Sequence, residues 1–380
     1  MLQRRKKEFQ YHANKYNVHM YDFRLILYVW VLSIIGILVI NSAGDGLAVK
    51  QLMGFIGGSV VMIFFSLIDY NYIAKFEWFL YSINIGMLIA VKLLGINVNG
   101  ATRWFSLGPF GTFQPSELSK VIMLIIFAHL ISEQKEKINN LTTIIKIGIL
   151  YVIPMLLVAL EPDLSTTLVF AFLFCTMMFV GGLSYKIIGI ILGISVPLAG
   201  LLIWYIQQPG QILLHGYQLQ RILTFLNPSD YLLTTYHQQY NSIMAIGSGL
   251  LTGKGHNNNT ITSVKGGNFI SEPQTDFIFA VVGEELGFIG SCVVLGLLLL
   301  FILECLHIAK DARDMKGRLI ASGTAGILIF QTFVNVSVAT GMLPNTGLPL
   351  PFVSYGLSSL LSNFICIGLV LNVGLQRNRR

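Results

Sequence analysis

Apolar stretches close to the roughly 20 residues needed to cross a bilayer recur from one end of this chain to the other. Ten can be read, over residues 25–41, 47–68, 76–95, 117–132, 143–160, 164–182, 186–206, 277–303, 319–340 and 352–374. Hydrophobic residues make up 54% of the chain and charged residues only 11%, against about 25% charged in an ordinary soluble domain. Such a chain cannot cover itself with a water-compatible surface. The expected fold is an all-α polytopic integral membrane protein. Pro154 and Pro197 fall inside spans, where neighbouring helices can re-satisfy the backbone groups that proline frees.

A polar, basic stretch of about two dozen residues precedes the first apolar run and does not have the form of a cleavable signal peptide. The first span is therefore expected to anchor the chain. With the N-terminus inside, 18 of the 25 lysines and arginines fall on cytoplasmic segments and seven remain for the other face. The positive-inside rule then assigns both termini to the cytoplasm, with basic tails at 1–24 and 375–380 around a single ten-helix membrane domain at 25–374. The net charge of +7 follows from this bias and requires no nucleic-acid partner; the surroundings are membrane lipids.

With that orientation the polar motifs are lopsided. "NGATRWFSLGPFGTFQPSELSK" (99–120), "EPDLSTT" (161–167), "SEPQTDF" (271–277) and "TGMLPNTGLPLPFVSYG" (340–356) all fall on the extracytoplasmic side, while the inner loops are short charged connectors. The chemistry is expected outside the cytoplasm. Between spans 7 and 8 lies a large extracytoplasmic loop, 207–276, of 70 residues, far above the usual median of about 4 to 6. Within it, "GYQLQRILTFLNP" and "NSIMAIGSGLL" carry apolar residues at helical spacing and predict helices lying in the interface. The glycine- and asparagine-rich 253–268 reads as a mobile strip beside them, and the whole as a lid over a cavity open to lipid.

The four cysteines, Cys175, Cys292, Cys305 and Cys366, sit in or at the ends of apolar spans without metal-like spacing and read as packing residues. "GKG" at 253–255 lacks the first glycine and the hydroxyl residue of a phosphate loop, which excludes a nucleotide site.

Over nearly its whole length the chain resembles the shape, elongation, division and sporulation (SEDS) glycosyltransferases, the RodA and FtsW family of cell-wall polymerases. The resemblance rests on "RWFSLGPFGTFQPSELSK", "EPDLSTT", "GYQLQRILTFLNP", "AIGSG" with "GKG", "TDFIFAVVGEELGFIG" and "TGLPLPFVSYG". It implies an enzyme that polymerises lipid II outside the cytoplasmic membrane of a bacterium, together with a class B penicillin-binding protein. It also places a catalytic role on Asp276 in "TDF".

The residues allow that chemistry. Glycosyl transfer from a lipid pyrophosphate needs a base for the acceptor hydroxyl and cationic help for the leaving group. Asp276, at the mouth of the eighth span, is either that base or a carboxylate held at a helix N-terminus by the dipole. Glu117 and Lys120, three apart on one helical face, are a structural ion pair or, as the resemblance implies, part of the central cavity. Lys120 is the first candidate for contacting pyrophosphate, with Arg103 and Arg221 behind it. Glu161 and Asp163 are a solvated turn or, by resemblance, border the same cavity. As two carboxylates they suit a divalent cation, Mg or Mn, bridging the diphosphate.

Glu284 and Glu285 stand about 13 Å beyond Asp276 on a continuous helix. They are read as supports for that helix end and not as partners in proton transfer. The proline- and glycine-rich 340–356 cannot be continuous helix, and such backbone is tolerated at membrane depth where it lines a cavity. The chain departs from the family pattern at "SEPQTDF", where Pro and Glu are reversed, at Leu357, where a second glycine is common, and around "HNNNTITS". Two other functions fit the same composition: a lipid II flippase, which should carry polar groups from face to face, and a non-catalytic scaffold for the cross-linking partner.

Overall fold

A computed structural model describes residues 21–377, apart from 45, 99–100, 109–110, 162, 209–215, 232–235, 258–262, 264–266 and 268. Most of the N-terminal basic tail, residues 378–380, Pro162 and most of the glycine- and asparagine-rich strip thus lie outside the described residues. The elements in order are α1 (Phe23–Ala43), α2 (Leu47–Leu67), the short α3 (Tyr70–Ala74), α4 (Glu77–Leu94), β1 (Ile96–Val98), β2 (Ala101–Ser106), β3 (Thr112–Phe113), α5 (Pro115–Glu133), α6 (Leu141–Leu160), α7 (Leu164–Val180), α8 (Tyr185–Ile206), α9 (Tyr217–Leu226), α10 (His237–Ser248), α11 (Ile278–Lys310), α12 (Met315–Ala339) and α13 (Leu357–Leu375).

Nine of these helices are long and apolar enough to cross a membrane, and the shorter α7 is the tenth apolar helix. Each predicted span has its helix. The last begins at Leu357 and not at 352, because the backbone from 341 to 356 stays irregular. Helices α5, α12 and α13 are the inner ones, each with more than two thirds of its span buried, whereas in α8 burial among the described residues is confined to its last residue, Ile206. Leu93, Ile149, Ile194 and Val196 point outward, an apolar surface that lipid accommodates and water does not.

Local chemistry sets the helix ends. Asp22, Asp163 and Asp314 accept from the backbone N–H groups of Leu25, Thr166 and Gly317 at the starts of α1, α7 and α12, satisfying donors that a helix N-terminus leaves unpaired. Pro115 opens α5, where its missing N–H is not needed. Small residues let the inner helices close on one another. A Cβ at Gly368 of α13 would stand 2.6 Å from the Met62 carbonyl oxygen of α2, and one at Gly36 of α1 2.7 Å from the Phe352 carbonyl oxygen.

Helix α11 is interrupted once, at Gly287 (φ 66°, ψ −164°), a conformation open essentially to glycine alone. The three strands form a small antiparallel sheet in the order β1-β2-β3, with Phe105 opposite Phe113. This sheet, the 161–163 turn, α9, α10 and the 340–356 segment gather at one end of the bundle, here called the loop face. The loop between α8 and α11 holds its two helices where the apolar spacing predicts them.

Candidate active site

The loop-face elements enclose a cavity of about 830 Å³, at the upper end of the range for ligand sites. Its lining includes Arg103, Trp104, Gln114, Glu117, Asp163, Arg221, Glu272, Asp276, Tyr355 and Leu357. Asp276, Asp163, Glu117, Arg103 and Arg221, scattered over more than 170 residues of sequence, thus meet at one space. Lys120 and Glu161 do not line it.

Asp276 sits just before α11. Its backbone carbonyl accepts from Asn335 Nδ2 at 2.9 Å, and the same amide nitrogen donates to the Leu348 carbonyl at 2.7 Å. One buried asparagine of α12 therefore ties the Asp276 segment to the irregular 341–356 wall. Across the gap stands Gly347 (φ 81°), where a Cβ would come within 3.3 Å of Asp276 Oδ2. Burial pushes the Asp276 carboxyl from 3.8 up to about 6; the Arg221 guanidinium opposes that rise, and Glu272 and Asp163 reinforce it. The group is thus mostly ionised at neutral pH yet close enough to it to take a proton.

Asp163 organises the opposite wall. One oxygen caps α7 at Thr166 N and lies 3.9 Å from Arg103 Nη1; the other accepts from Gln114 Nε2 at 2.9 Å. Arg103 also donates through Nε to the Glu161 carbonyl at 3.0 Å, and its guanidinium lies 5.8 Å from the Trp104 ring centroid. This arginine is held on three sides with its charge at the cavity edge. Arg221 and its neighbours Gln220 and Thr224 present one face of α9 to the same space.

Glu117 and Lys120 form a 2.8 Å ion pair, with side chains 4% and 2% exposed. Removing one partner would strand the other charge in the interior at about 3–5 kcal/mol. Lys120 does not line the cavity, and among the described residues the cations on its lining are Arg103 and Arg221. Glu161 is 1% exposed, and neither of its carboxylate oxygens has a hydrogen-bond partner among the described residues. Burial, aided by Asp163 and opposed by Arg103 and Lys92, pushes it up to about 8.

Sequence reasoning passed over Gln114, Asn335 and the sheet residue Trp104. Gln114 lies inside the quoted "FQPSELSK", beside a pair that drew all the weight. Asn335 did carry a signal, an amide in the middle of an otherwise apolar span. Glu284 and Glu285 lie outside the cavity lining, each held by side chains of other segments.

Residues 17–379 match the cell cycle protein family FTSW_RODA_SPOVE. The chain belongs to this family. It is 35% identical over 364 residues to the peptidoglycan glycosyltransferase MrdB of Escherichia coli K12, with 95% of each chain covered. Among solved structures it matches the rod shape determining protein RodA of Thermus thermophilus, with 29% identity, a TM-score of 0.69, and 95% and 98% of the two chains covered. A chain from "Structural coordination of polymerization and crosslinking by a peptidoglycan synthase complex" matches with a TM-score of 0.79 and 28% identity, over 93% of this chain and 97% of that one.

Proposed function

We infer that this family member is a peptidoglycan glycosyltransferase that extends glycan strands from lipid II, with Asp276 as general base. The carrying observation is the placement of Asp276 on one wall of the cavity, its carboxyl held at about 6, with two arginines on the lining. In this reading the acceptor sugar hydroxyl attacks the anomeric carbon of the donor. A new glycosidic C–O bond forms, the bond from that carbon to the pyrophosphate oxygen breaks, and the hydroxyl proton passes to Asp276. Arg103 and Arg221 stabilise the charge that develops on the departing prenyl pyrophosphate, at fixed positions in a site partly shielded from water. The cations are arginines, whose planar fork suits phosphate oxygens.

The Glu161–Asp163 turn fits a Mg or Mn ion, because Glu161 carries unpartnered carboxylate oxygens and Asp163 faces the cavity. Such an ion takes its remaining ligands from phosphate and water. When bound, it would supply further positive charge to the diphosphate. Among the described residues no group of three or more His, Cys, Asp or Glu side chains is placed to hold a metal.

The basic segments support a topology with both termini in the cytoplasm and the loop face outside, in the bacterial cytoplasmic membrane. A class B penicillin-binding protein is the partner this reading implies, and the structural likeness to a chain of a peptidoglycan synthase complex supports it. A flippase is the weaker reading. Below Lys120, α5 continues as Val121 to Ala128, all apolar and buried, so the charged groups at the head of this helix are not continued along it towards the opposite face.

Purified protein with its partner, given labelled lipid II, tests the proposal. Asp276→Asn should lower polymer yield by about 10²–10⁴-fold, the usual weight of a general base. Polymer formed at the wild-type rate would overturn the assignment, and lipid movement without polymer would favour the flippase.

A further inference from the structure

The break in α11 at Gly287 leaves helix backbone groups without their usual partners, and within a bilayer each has to find another. The turn that follows α10 supplies them. Lys254 N–H donates to the Glu284 carbonyl at 2.8 Å and Gly255 N–H to the Glu285 carbonyl at 3.2 Å. In return Phe288 N–H donates to the Leu250 carbonyl at 2.8 Å and Ile289 N–H to Leu251 at 3.1 Å. The fit is backbone against backbone. A Cβ would stand 2.0 Å from the Gly283 oxygen at Gly249, and 2.0 Å from the Glu285 oxygen at Gly253 (φ 80°). These contacts explain Gly249 and Gly253 in "GSGLLTGKG", a stretch that cannot serve as a phosphate loop.

Side chains secure the same junction. Lys254 Nζ lies 2.8 Å from Glu284 Oε1, and Glu284 is 4% exposed. Glu285 Oε2 lies 3.1 Å from His256 Nδ1, while its other oxygen accepts from Ser42 of α1. The half-helix from Ile278 to Leu286 is thereby clamped at its far end by the loop and by α1. At its near end stands Asp276, two residues before the helix begins.

We propose that residues 249–256 are a splice that positions Asp276, and that Lys254 and Glu284 are its positioning residues. Neither lines the cavity, so neither touches substrate; they act through the direction of one short rigid helix. A base misplaced by about 1 Å loses on the order of 10²-fold in rate. Loss of the clamp therefore costs turnover and leaves substrate binding alone. The proposal rests on the reading of Asp276 as the base.

The test uses the full chain with its partner and measures kcat and KM for lipid II, alongside thermal unfolding. Lys254→Glu and Glu284→Lys should each lower kcat by about 10- to 100-fold with KM within about 2-fold of wild type. The double charge swap should recover most of the loss, as restored pairs do in a double-mutant cycle. If a charge reversal prevents folding, Lys254→Met keeps the stem and the backbone splice, and the same fall in kcat at constant KM is expected.

Folded single variants with wild-type kcat, or losses that only follow the folded fraction, would overturn the splice. A folded swap that recovers nothing would do the same. Asp276→Asn runs in parallel to separate the two claims. If it stays active, the base assignment falls. If it is inactive while the Lys254 and Glu284 variants are normal, only the splice falls.

Discussion

Replacing Arg221 by Gln should move the acid limb of polymerisation to higher pH. The Asp276 carboxyl is held at about 6 by burial, with Arg221 the strongest influence in the opposite direction. At pH 6 about half of the base is ionised and at pH 7 about nine tenths, so wild-type kcat/KM at pH 6 should be about 0.55 of its value at pH 7. Without the guanidinium, burial, Glu272 and Asp163 all act to raise the carboxyl, opposed only by the Thr275 side chain. The limb then moves up, and a rise of one pH unit, about 1.36 kcal/mol, takes the ratio to about 0.2.

The assay is the initial rate of glycan formation from labelled lipid II at low substrate, at the two pH values, for wild type, Arg221→Gln and Arg221→Lys. Taking the ratio within each protein cancels any loss of pyrophosphate contact that is independent of pH. Arg221→Lys keeps the positive charge and should hold a ratio near wild type. An Arg221→Gln ratio equal to or above the wild-type value would refute the reasoning, because either Asp276 is not the titrating base or Arg221 does not act on it.

Two further outcomes follow from other parts of the molecule. Gly368→Ala places a methyl group 2.6 Å from the Met62 carbonyl oxygen and 2.8 Å from Phe65 Cβ, which forces α2 and α13 apart. It should destabilise the protein by about 1–3 kcal/mol, read as a lower unfolding temperature in detergent, and an unchanged melt would count against that close packing. Glu161→Gln should raise the Mg or Mn concentration that half-saturates polymerisation about 10-fold, as the loss of one of two protein carboxylates implies. Identical cation dependence in the two proteins would remove Glu161 from the proposed cation site.

Span number was legible because the length of an apolar run is fixed by the bilayer and not by neighbouring chain. Helices α9 and α10 were legible for a similar reason, since the spacing of residues such as Leu219, Ile222, Leu223 and Leu226 is a local property. The sheet was not. "ATRWFS" and "TF" are too short to show a period, and they become strands by pairing across a turn. The break in α11 hid in the same way, because Gly287 is one of many glycines in apolar runs, and only the approach of residues 250–255 gives it a role. Lys120 shows how depth escapes a sequence: its spacing from Glu117 predicts the pair, but of the two only Glu117 reaches the cavity lining. Asp276 was found through a motif, whereas its hold on Asn335 required the fold.

That hold restricts how substrate comes and goes. Both N–H groups of the Asn335 amide are taken, one by the Asp276 segment and one by the segment at Leu348, so these two walls travel as one body and the space between them does not widen like a hinge. Passage of bulky substrates then falls to another side of the cavity, the one lined by Gln220, Arg221 and Thr224 of α9.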